Sequence, residues 1–269
     1  MISCINGATT MPYTLEQDLE TAALAGFEAV EIWSRKLNTY LETHSLDDLK
    51  DLLARCQLKV ASLCPYSLVG FSDNRGHIIS IREASEIAEA IECPLLLVCA
   101  DAPPEGVELD EAYDAMANVA STYADWAEDH GVKIAIEPLG RHPFIPGPNE
   151  ALEIIERAEH DSLGLMLDTF HYYKSDISME DIRKVPLEHL LIVHVNDCED
   201  LPREELTDGH RLHMGRGILP LHMFLGILKD KGYEGALSVE IFREEYWKQV
   251  PEAISRDAKA ALDKTLAGL

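Results

Sequence analysis

Positive charge is scarce in this sequence: 23 lysines and arginines stand against 48 aspartates and glutamates, for a formal net charge of −25 over 269 residues. So acidic a surface repels phosphate backbones and anionic lipid headgroups. We therefore expect neither a nucleic-acid partner nor a membrane partner. Strongly anionic substrates are disfavoured for the same reason.

Long apolar runs and a signal peptide are lacking too. The apolar runs are far too short to span a bilayer, and the chain opens directly with the strand-like segment MISCI. The six cysteines include no CxxC pair, and several lie in apolar runs, as Cys99 does in LLLVCA. Reduced, mostly buried thiols are the expectation. These features predict a cytoplasmic protein and leave open whether it is a homo-oligomer.

Glycine-rich nucleotide loops are missing as well. No GxGxxG or GxxxxGK follows the first strand-like run, which disfavours a nucleotide-binding, doubly wound open sheet. No glycine-rich phosphate loop follows the last two strand-like runs either. Phosphorylated substrates are therefore less favoured than neutral ones.

A regular alternation of strand and helix patterns fills the chain, 46% of which is hydrophobic. Short runs rich in Val, Ile and Leu are typical of buried parallel strands, and they span residues 2–6, 29–33, 59–64, 95–100, 133–139, 163–169, 191–197 and 236–242. Helical periodicity follows each run, over residues 14–26, 45–56, 81–92, 108–131, 149–160, 178–185, 219–232 and 251–269. Eight such units without a linker predict an α/β fold, a single (β/α)8 TIM barrel over residues 1–269.

Four polar residues stand at the carboxyl ends of the last four predicted strands: Glu137, Asp168, His194 and Glu240. Charges inside such apolar runs are costly unless paired. Because barrel strands are neighbours, these side chains can converge on the catalytic face. Three carboxylates and one imidazole predict a site for one divalent metal ion, Mn²⁺, Zn²⁺, Co²⁺ or Mg²⁺. A metal-free polar network is the less favoured alternative, since the carboxylates repel one another.

The motifs around these residues resemble those of the xylose-isomerase-like barrel superfamily of sugar isomerases, epimerases, keto-inositol dehydratases and apurinic endonucleases. They are IEPLG (136–140), LDTFH (167–171), HVND (194–197) and SVEIF (238–242). A closer likeness is to the inosose (2-keto-myo-inositol) isomerase branch. It is carried by CINGATT (4–10), THSLDDL (43–49), DCEDLPREELTDGHR (197–211) and SVEIFREEYW (238–247). The resemblance runs nearly end to end.

Carried over residue by residue, the resemblance implies that Glu137, Asp168, His194 and Glu240 are the metal ligands. It also implies that Glu137 and Glu240 flank the substrate carbons as catalytic acid and base. His171, three residues after Asp168, would contact a substrate oxygen or support the site. Arg211 would reach a substrate hydroxyl or carbonyl.

The implied function is a metal-dependent isomerase or epimerase of a small keto-polyol or sugar, of the inosose type. Proton transfer would pass through a metal-stabilised enediolate. The alternative is a dehydratase of a keto-inositol or dehydroshikimate-type substrate, which expels a β-hydroxyl from the same enolate. A nuclease is disfavoured because the extra histidines of the three-metal endonucleases are absent after strands 2, 3 and 4. A metal-binding protein without catalysis is a further, less favoured interpretation.

Two departures from the family pattern leave the substrate open. Met214 stands where a proline is usual in the turn RLHMGRG (211–217), and Gly7 stands where the isomerase branch leads us to expect an acidic residue. Glu31 and Trp33, which end the second strand-like run, are candidates for the inner polar layer and the pocket wall. Purely structural roles are at least as well supported for both, and Asn6 is a weaker candidate.

Overall fold

The barrel predicted from the sequence is present in the computed structural model, which describes residues 1–269. Eight parallel strands close on themselves, and in chain order they are β1 Ile2–Asn6, β2 Ala29–Trp33, β3 Lys59–Leu68, β4 Leu95–Ala100, β5 Lys133–Glu137, β6 Leu163–Asp168, β7 Leu190–Val195 and β8 Ala236–Val239. Each strand pairs with its sequence neighbours, and β8 pairs with β1. This is the (β/α)8 arrangement, and its strand ends assemble one catalytic face.

Helices separate the strands and cover the outside of the barrel. Their bounds are α1 Leu15–Ala25, α2 Ser34–Leu41, α3 Leu46–Cys56, α4 Arg75–Ala90, α5 Leu109–Glu128, α6 Pro148–Ala158, α7 Thr169–Lys174, α8 Met179–Lys184, α9 Leu221–Asp230, α10 Glu244–Trp247 and α11 Pro251–Leu266. None of them has both the length and the apolar character that crossing a bilayer demands.

Three helices escaped the sequence analysis: α2, α7 and α10. All three are short, and each begins within five residues of a strand end. Helix α4 begins at Arg75, six residues before the predicted start. Its first turns contain Gly76 and His77, which are weak helix formers and hide the periodicity.

Several strands end earlier than predicted. β5 stops at Glu137 because Pro138 has no amide to continue the ladder. β6 stops at Asp168, whose side chain accepts a hydrogen bond from the Phe170 amide at 2.7 Å and so begins α7. β8 stops at Val239, so Glu240 lies directly after the strand. The polar residues are thus at the barrel mouth.

The barrel interior changes from apolar to polar along each strand. Residues two apart on a strand face the same side. A small buried apolar cluster occupies the inner face towards the amino ends, and it includes Ala29, Ala135, Met166 and Ile192. Two residues further along the same strands come Glu31, Glu137, Asp168 and His194. The apolar layer therefore forms the floor beneath the polar mouth.

The backbone packs so closely around Gly164 in β6 that it leaves no room for a side chain. A Cβ at this position would lie 2.6 Å from the His189 carbonyl oxygen, which is fixed backbone. We expect Gly164→Ala to lower the free energy of unfolding by about 1–3 kcal/mol in urea titrations. Gly226 in α9 is the matched control, since its Cβ would meet nothing within 4 Å. Gly226→Ala should be neutral or stabilise by about 0.4–1 kcal/mol; equal losses in both variants would contradict the packing argument.

Candidate metal centre and acid–base site

The four residues at the ends of β5 to β8 meet at one point. Glu137, Asp168, His194 and Glu240 each offer one ligand atom, and these atoms all lie within 4.8 Å of one another. Around the His194 Nδ1 atom the nearest carboxylate oxygens are Glu240 Oε2 at 3.2 Å, Glu137 Oε1 at 3.8 Å and Asp168 Oδ2 at 3.9 Å. The convergence predicted from strand order is therefore present.

This cluster has the donor set that a divalent cation requires. His194 is fully buried, and its Nδ1 atom has no hydrogen-bond partner although it points among three carboxylates. Burial raises the pKa of Glu137 to about 8 against the positive charge of His194, and the negative charges of Glu240 and Asp168 add to the rise. Buried carboxylates that crowd together need a cation, so the residues present fit a metal ion bound by three oxygens and one nitrogen.

Glu31 holds the other side of the imidazole. Its Oε1 atom lies 2.7 Å from His194 Nε2. Its carboxylate also accepts hydrogen bonds from Asn6 Nδ2 at 3.1 Å and from the Ser62 hydroxyl at 2.5 Å. A carboxylate beside Nε2 favours a proton there and leaves Nδ1 as the donor atom. Glu31, a candidate from the sequence for the inner polar layer, therefore lies in that layer and contacts His194.

The two carboxylate oxygens of Asp168 have different partners. Oδ1 accepts hydrogen bonds from the Phe170 amide at 2.7 Å and from Asn196 Nδ2 at 3.2 Å. Oδ2 is left facing His194 and Arg211. Sequence analysis did not single out Asn196 as a functional residue, although it lies within the quoted motif HVND. Its polar side chain at the end of an apolar strand was the available signal.

Cys99 is a further contact that sequence analysis missed. Its thiol Sγ lies 3.4 Å from Glu137 Oε2, the oxygen turned away from His194. Burial and the Glu137 charge raise the pKa of Cys99 well above its ordinary value, so the thiol stays protonated and donates a hydrogen bond to Glu137. The register that pairs Cys99 with Glu137 across β4 and β5 creates this contact.

His171 and Arg211, the two predicted substrate residues, both lie beside the cluster. His171 Nε2 is 3.7 Å from Glu137 Oε1 and 3.1 Å from Arg211 Nη2. Arg211 is 1% exposed, and its Nη1 lies 2.7 Å from Asp168 Oδ2 and 3.0 Å from Glu240 Oε2. The structure therefore places Arg211 directly on two carboxylates of the cluster.

The cluster is almost completely buried. Asp168 and His194 are 0% exposed, whereas Glu137, Glu240 and His171 are 6%, 4% and 8% exposed. These three side chains are therefore the part of the site nearest to solvent, and we call this side the opening.

One of the two departures from the family pattern has a local physical reason. A Cβ on Gly7 would lie 3.1 Å from the Trp33 Cβ and 3.3 Å from an Asp18 carboxylate oxygen, so an acidic side chain there would be crowded and repelled. Met214, the second departure, is buried within the loop after β7.

Trp33, the candidate for the pocket wall, packs edge-to-face on Phe242, with ring centroids 5.7 Å apart. It therefore contacts a residue that follows β8.

The long loop after β7 is shaped by Asp197. Its carboxylate accepts hydrogen bonds from the amides of Cys198, Gly217 and Leu219. Asp197–Cys198 also pairs antiparallel with Arg211–Leu212. This short hairpin turns the loop back on itself, and so it returns Arg211 to the barrel mouth.

The chain belongs to the xylose isomerase-like TIM barrel family, whose model matches residues 19–265. An inosose isomerase of Halalkalibacterium halodurans is 34% identical over 263 residues, which cover 95% of this chain and 93% of the relative. A 1.8 Å crystal structure of the IOLI protein with a bound zinc atom superimposes with a TM-score of 0.92 at 31% identity, covering 100% of this chain and 99% of that one. A 3-dehydroshikimate dehydratase of Pseudomonas aeruginosa is 27% identical, and only 37% of its length is matched.

His213, next to the site loop, gives a test of acid stability. Its ring stacks on Tyr246 with centroids 4.3 Å apart. Burial, with the nearby Arg216 charge, lowers the pKa of His213 to about 4. Between pH 6.5 and pH 4, His213 is therefore protonated in the unfolded chain but not in the folded chain. The free energy of unfolding falls over this range as pH is lowered, by up to about 3 kcal/mol.

His213→Phe keeps the stacked ring and removes the titration. We expect urea unfolding at pH 7 and pH 4.5 to show a smaller loss of stability in this variant than in the unaltered chain. Other acid-sensitive groups, including those of the cluster, are common to both proteins. If both proteins lost the same free energy of unfolding between pH 7 and pH 4.5, the pKa of His213 would not be lowered by folding.

Proposed function

We propose that this chain interconverts keto-inositols by moving a proton between adjacent carbons, with one divalent metal ion held by Glu137, Asp168, His194 and Glu240. The chain is an isomerase, as its near-full-length likeness to inosose isomerases shows. The observation that carries the site assignment is the convergence of three carboxylates on the unpartnered Nδ1 of His194. The proposed setting is inositol metabolism in the cytoplasm.

The metal identity within this proposal is Zn²⁺, Mn²⁺, Co²⁺ or Mg²⁺, since a mixed set of oxygen and nitrogen donors suits each of them. When bound, such an ion would polarise the substrate carbonyl and adjacent hydroxyl and stabilise negative charge on their oxygens. The structure with a bound zinc atom supports the choice of a divalent ion.

Asp168 and Glu137 differ in pKa and therefore suit different roles in the cluster. Burial opposes ionisation of Asp168, but the Arg211 guanidinium holds the pKa of Asp168 well below its usual range. Asp168 therefore stays a charged ligand. Burial raises the pKa of Glu137 to about 8 when no cation is bound. A bound metal ion would lower it, so Glu137 would transfer a proton through an oxygen that the metal leaves free. Carboxylates whose proton affinities are pushed apart are suited to different roles.

Glu137 and Glu240 are the proposed acid and base because both border the opening, as Asp168 does not. The base removes the proton from a hydroxyl-bearing carbon beside the ketone, which gives an enediolate. Returning a proton to the former carbonyl carbon, while the hydroxyl proton passes to the former carbonyl oxygen, moves the ketone by one position. The Cys99 thiol on Glu137 Oε2 keeps that carboxylate in place for the transfer. His171 is proposed to orient substrate oxygens at the same opening. Arg211, for which the sequence predicted a substrate contact, is 1% exposed and binds Asp168 and Glu240, so its proposed role is to hold these two carboxylates.

Incubation with a keto-inositol in heavy water tests the reaction. We expect deuterium to enter the carbons beside the ketone, with appearance of an isomeric ketone, both followed by NMR after addition of Zn²⁺ or Mn²⁺. A rising enone absorbance without an isomeric ketone would instead indicate dehydration. If the chain bound metal but neither incorporated deuterium nor formed a product, it would be a metal-binding protein, and the proposed catalysis would be wrong.

Glu137→Gln and Glu240→Gln test the acid–base assignment. An amide cannot take up the proton, and a positioned acid or base contributes roughly 10²–10⁴ in rate. We therefore expect each variant to lose at least about 100-fold in kcat while still binding metal with reduced affinity. Glu205→Gln, an exposed change in the loop after β7, is the control. Full turnover by either cluster variant would remove that glutamate from the mechanism.

A further inference from the structure

Arg211 places a fixed positive charge on the oxygens that face the centre of the cluster. Its Nη1 contacts Asp168 Oδ2 at 2.7 Å and Glu240 Oε2 at 3.0 Å. In both residues the same oxygen also faces His194 Nδ1, at 3.9 Å for Asp168 and 3.2 Å for Glu240. A guanidinium and a metal ion therefore draw on the same two carboxylates. Such sharing must lower the affinity of the cluster for a second positive charge.

Asp208 holds the opposite side of the same guanidinium. Its Oδ1 atom accepts hydrogen bonds from Arg211 Nε at 3.0 Å and from Arg211 Nη2 at 2.8 Å. Asp208 begins a short 3-10 helix, Asp208–His210. Thr207 and His210 form a capping box at the start of this helix. The Asp208 side chain is about half exposed, whereas that of Arg211 is 1% exposed. Arg211 is thus suspended between an outer carboxylate and two inner ones.

The faces of the guanidinium are confined as well. The Phe170 ring lies 4.7 Å from the Arg211 Cζ atom, and the Phe242 ring lies 5.4 Å from it. Aromatic rings this close attract the guanidinium and restrict its movement. Within that space, the guanidinium can lie closer to Asp208 or closer to Asp168 and Glu240. The charge of Asp208 on one side, and those of Asp168 and Glu240 on the other, decide where the guanidinium lies.

We propose that Asp208 sets the metal affinity of the cluster by restraining Arg211, although it is not itself a ligand. This inference rests on the proposed metal site. Asp208 draws the guanidinium outward and neutralises part of its charge, which leaves Asp168 and Glu240 free to bind the metal. Without the Asp208 carboxylate, Arg211 pairs with the two inner carboxylates alone and competes more strongly with the ion.

Three variants separate this role from a general charge effect. Asp208→Asn removes the outer charge and keeps the size of the side chain. Asp200→Asn removes the same charge from the same loop, where Asp200 is exposed and pairs with no cation. Arg211→Met removes the competing charge between the two aromatic rings. Affinity for Zn²⁺ and for Mn²⁺ alone is measured by competition with a chromophoric chelator, and circular dichroism monitors folding.

We expect Asp208→Asn to weaken metal binding by about 10–100-fold, the usual effect of losing a group that supports the ligands. Asp200→Asn should stay within about twofold of the unaltered chain. Arg211→Met should bind more tightly. Because Asp208 acts through Arg211, the Asp208→Asn change should have a much smaller effect in the Arg211→Met background, a coupling that a double-mutant cycle measures.

Two results would overturn the inference while the metal site stands: equal losses in Asp208→Asn and Asp200→Asn, or a loss that is as large without Arg211 as with it. Should Arg211→Met fail to fold, Arg211→Gln replaces it in the cycle, since a glutamine also lacks the competing charge. Failure of the unaltered chain to bind either metal would overturn the proposed metal site itself, and this inference with it.

Discussion

Everything at the barrel mouth depends on how three carboxylates are kept together in a buried space. Glu137, Asp168 and Glu240 would repel one another without positive charge among them. Arg211 supplies part of that charge, and a cation bound at His194 Nδ1 would supply the rest. Glu31 holds His194, and Asp208 holds Arg211. The site is therefore a chain of alternating charges across the mouth, with the cluster as its middle. The barrel provides the frame that keeps these groups at contact distance.

The architecture could be predicted because it is repeated eight times. A short apolar strand followed by an amphipathic helix is a strong pattern, and its eight copies identify the barrel even where single boundaries are wrong. Boundaries failed where a local feature overrode the pattern. Pro138 ended β5, Asp168 became a helix cap, and Gly76 concealed the first turns of α4. Such features act over one or two residues and leave periodicity intact.

The same logic explains which parts of the site could be predicted. Charges inside apolar strands are conspicuous, so the cluster and Glu31 could be singled out. Asn196, Ser62 and Cys99 are ordinary residues whose importance comes from the strand beside them, through register that no spacing reveals. Asp208 is one acidic residue among many in its loop. Only the hairpin that turns the loop back shows that it meets Arg211.

Asp168 serves four partners with two oxygens. One oxygen caps α7 and holds Asn196, and the other faces His194 of the cluster and Arg211. Helix α7 carries His171, so the position of a residue at the opening is tied to the orientation of a buried ligand. A substitution of Asp168 would consequently disturb the helix, the cluster and the opening together. New substrate preferences in a barrel of this kind would instead arise in the loops after β1 and β7, where Gly7 and Met214 already depart from the family pattern.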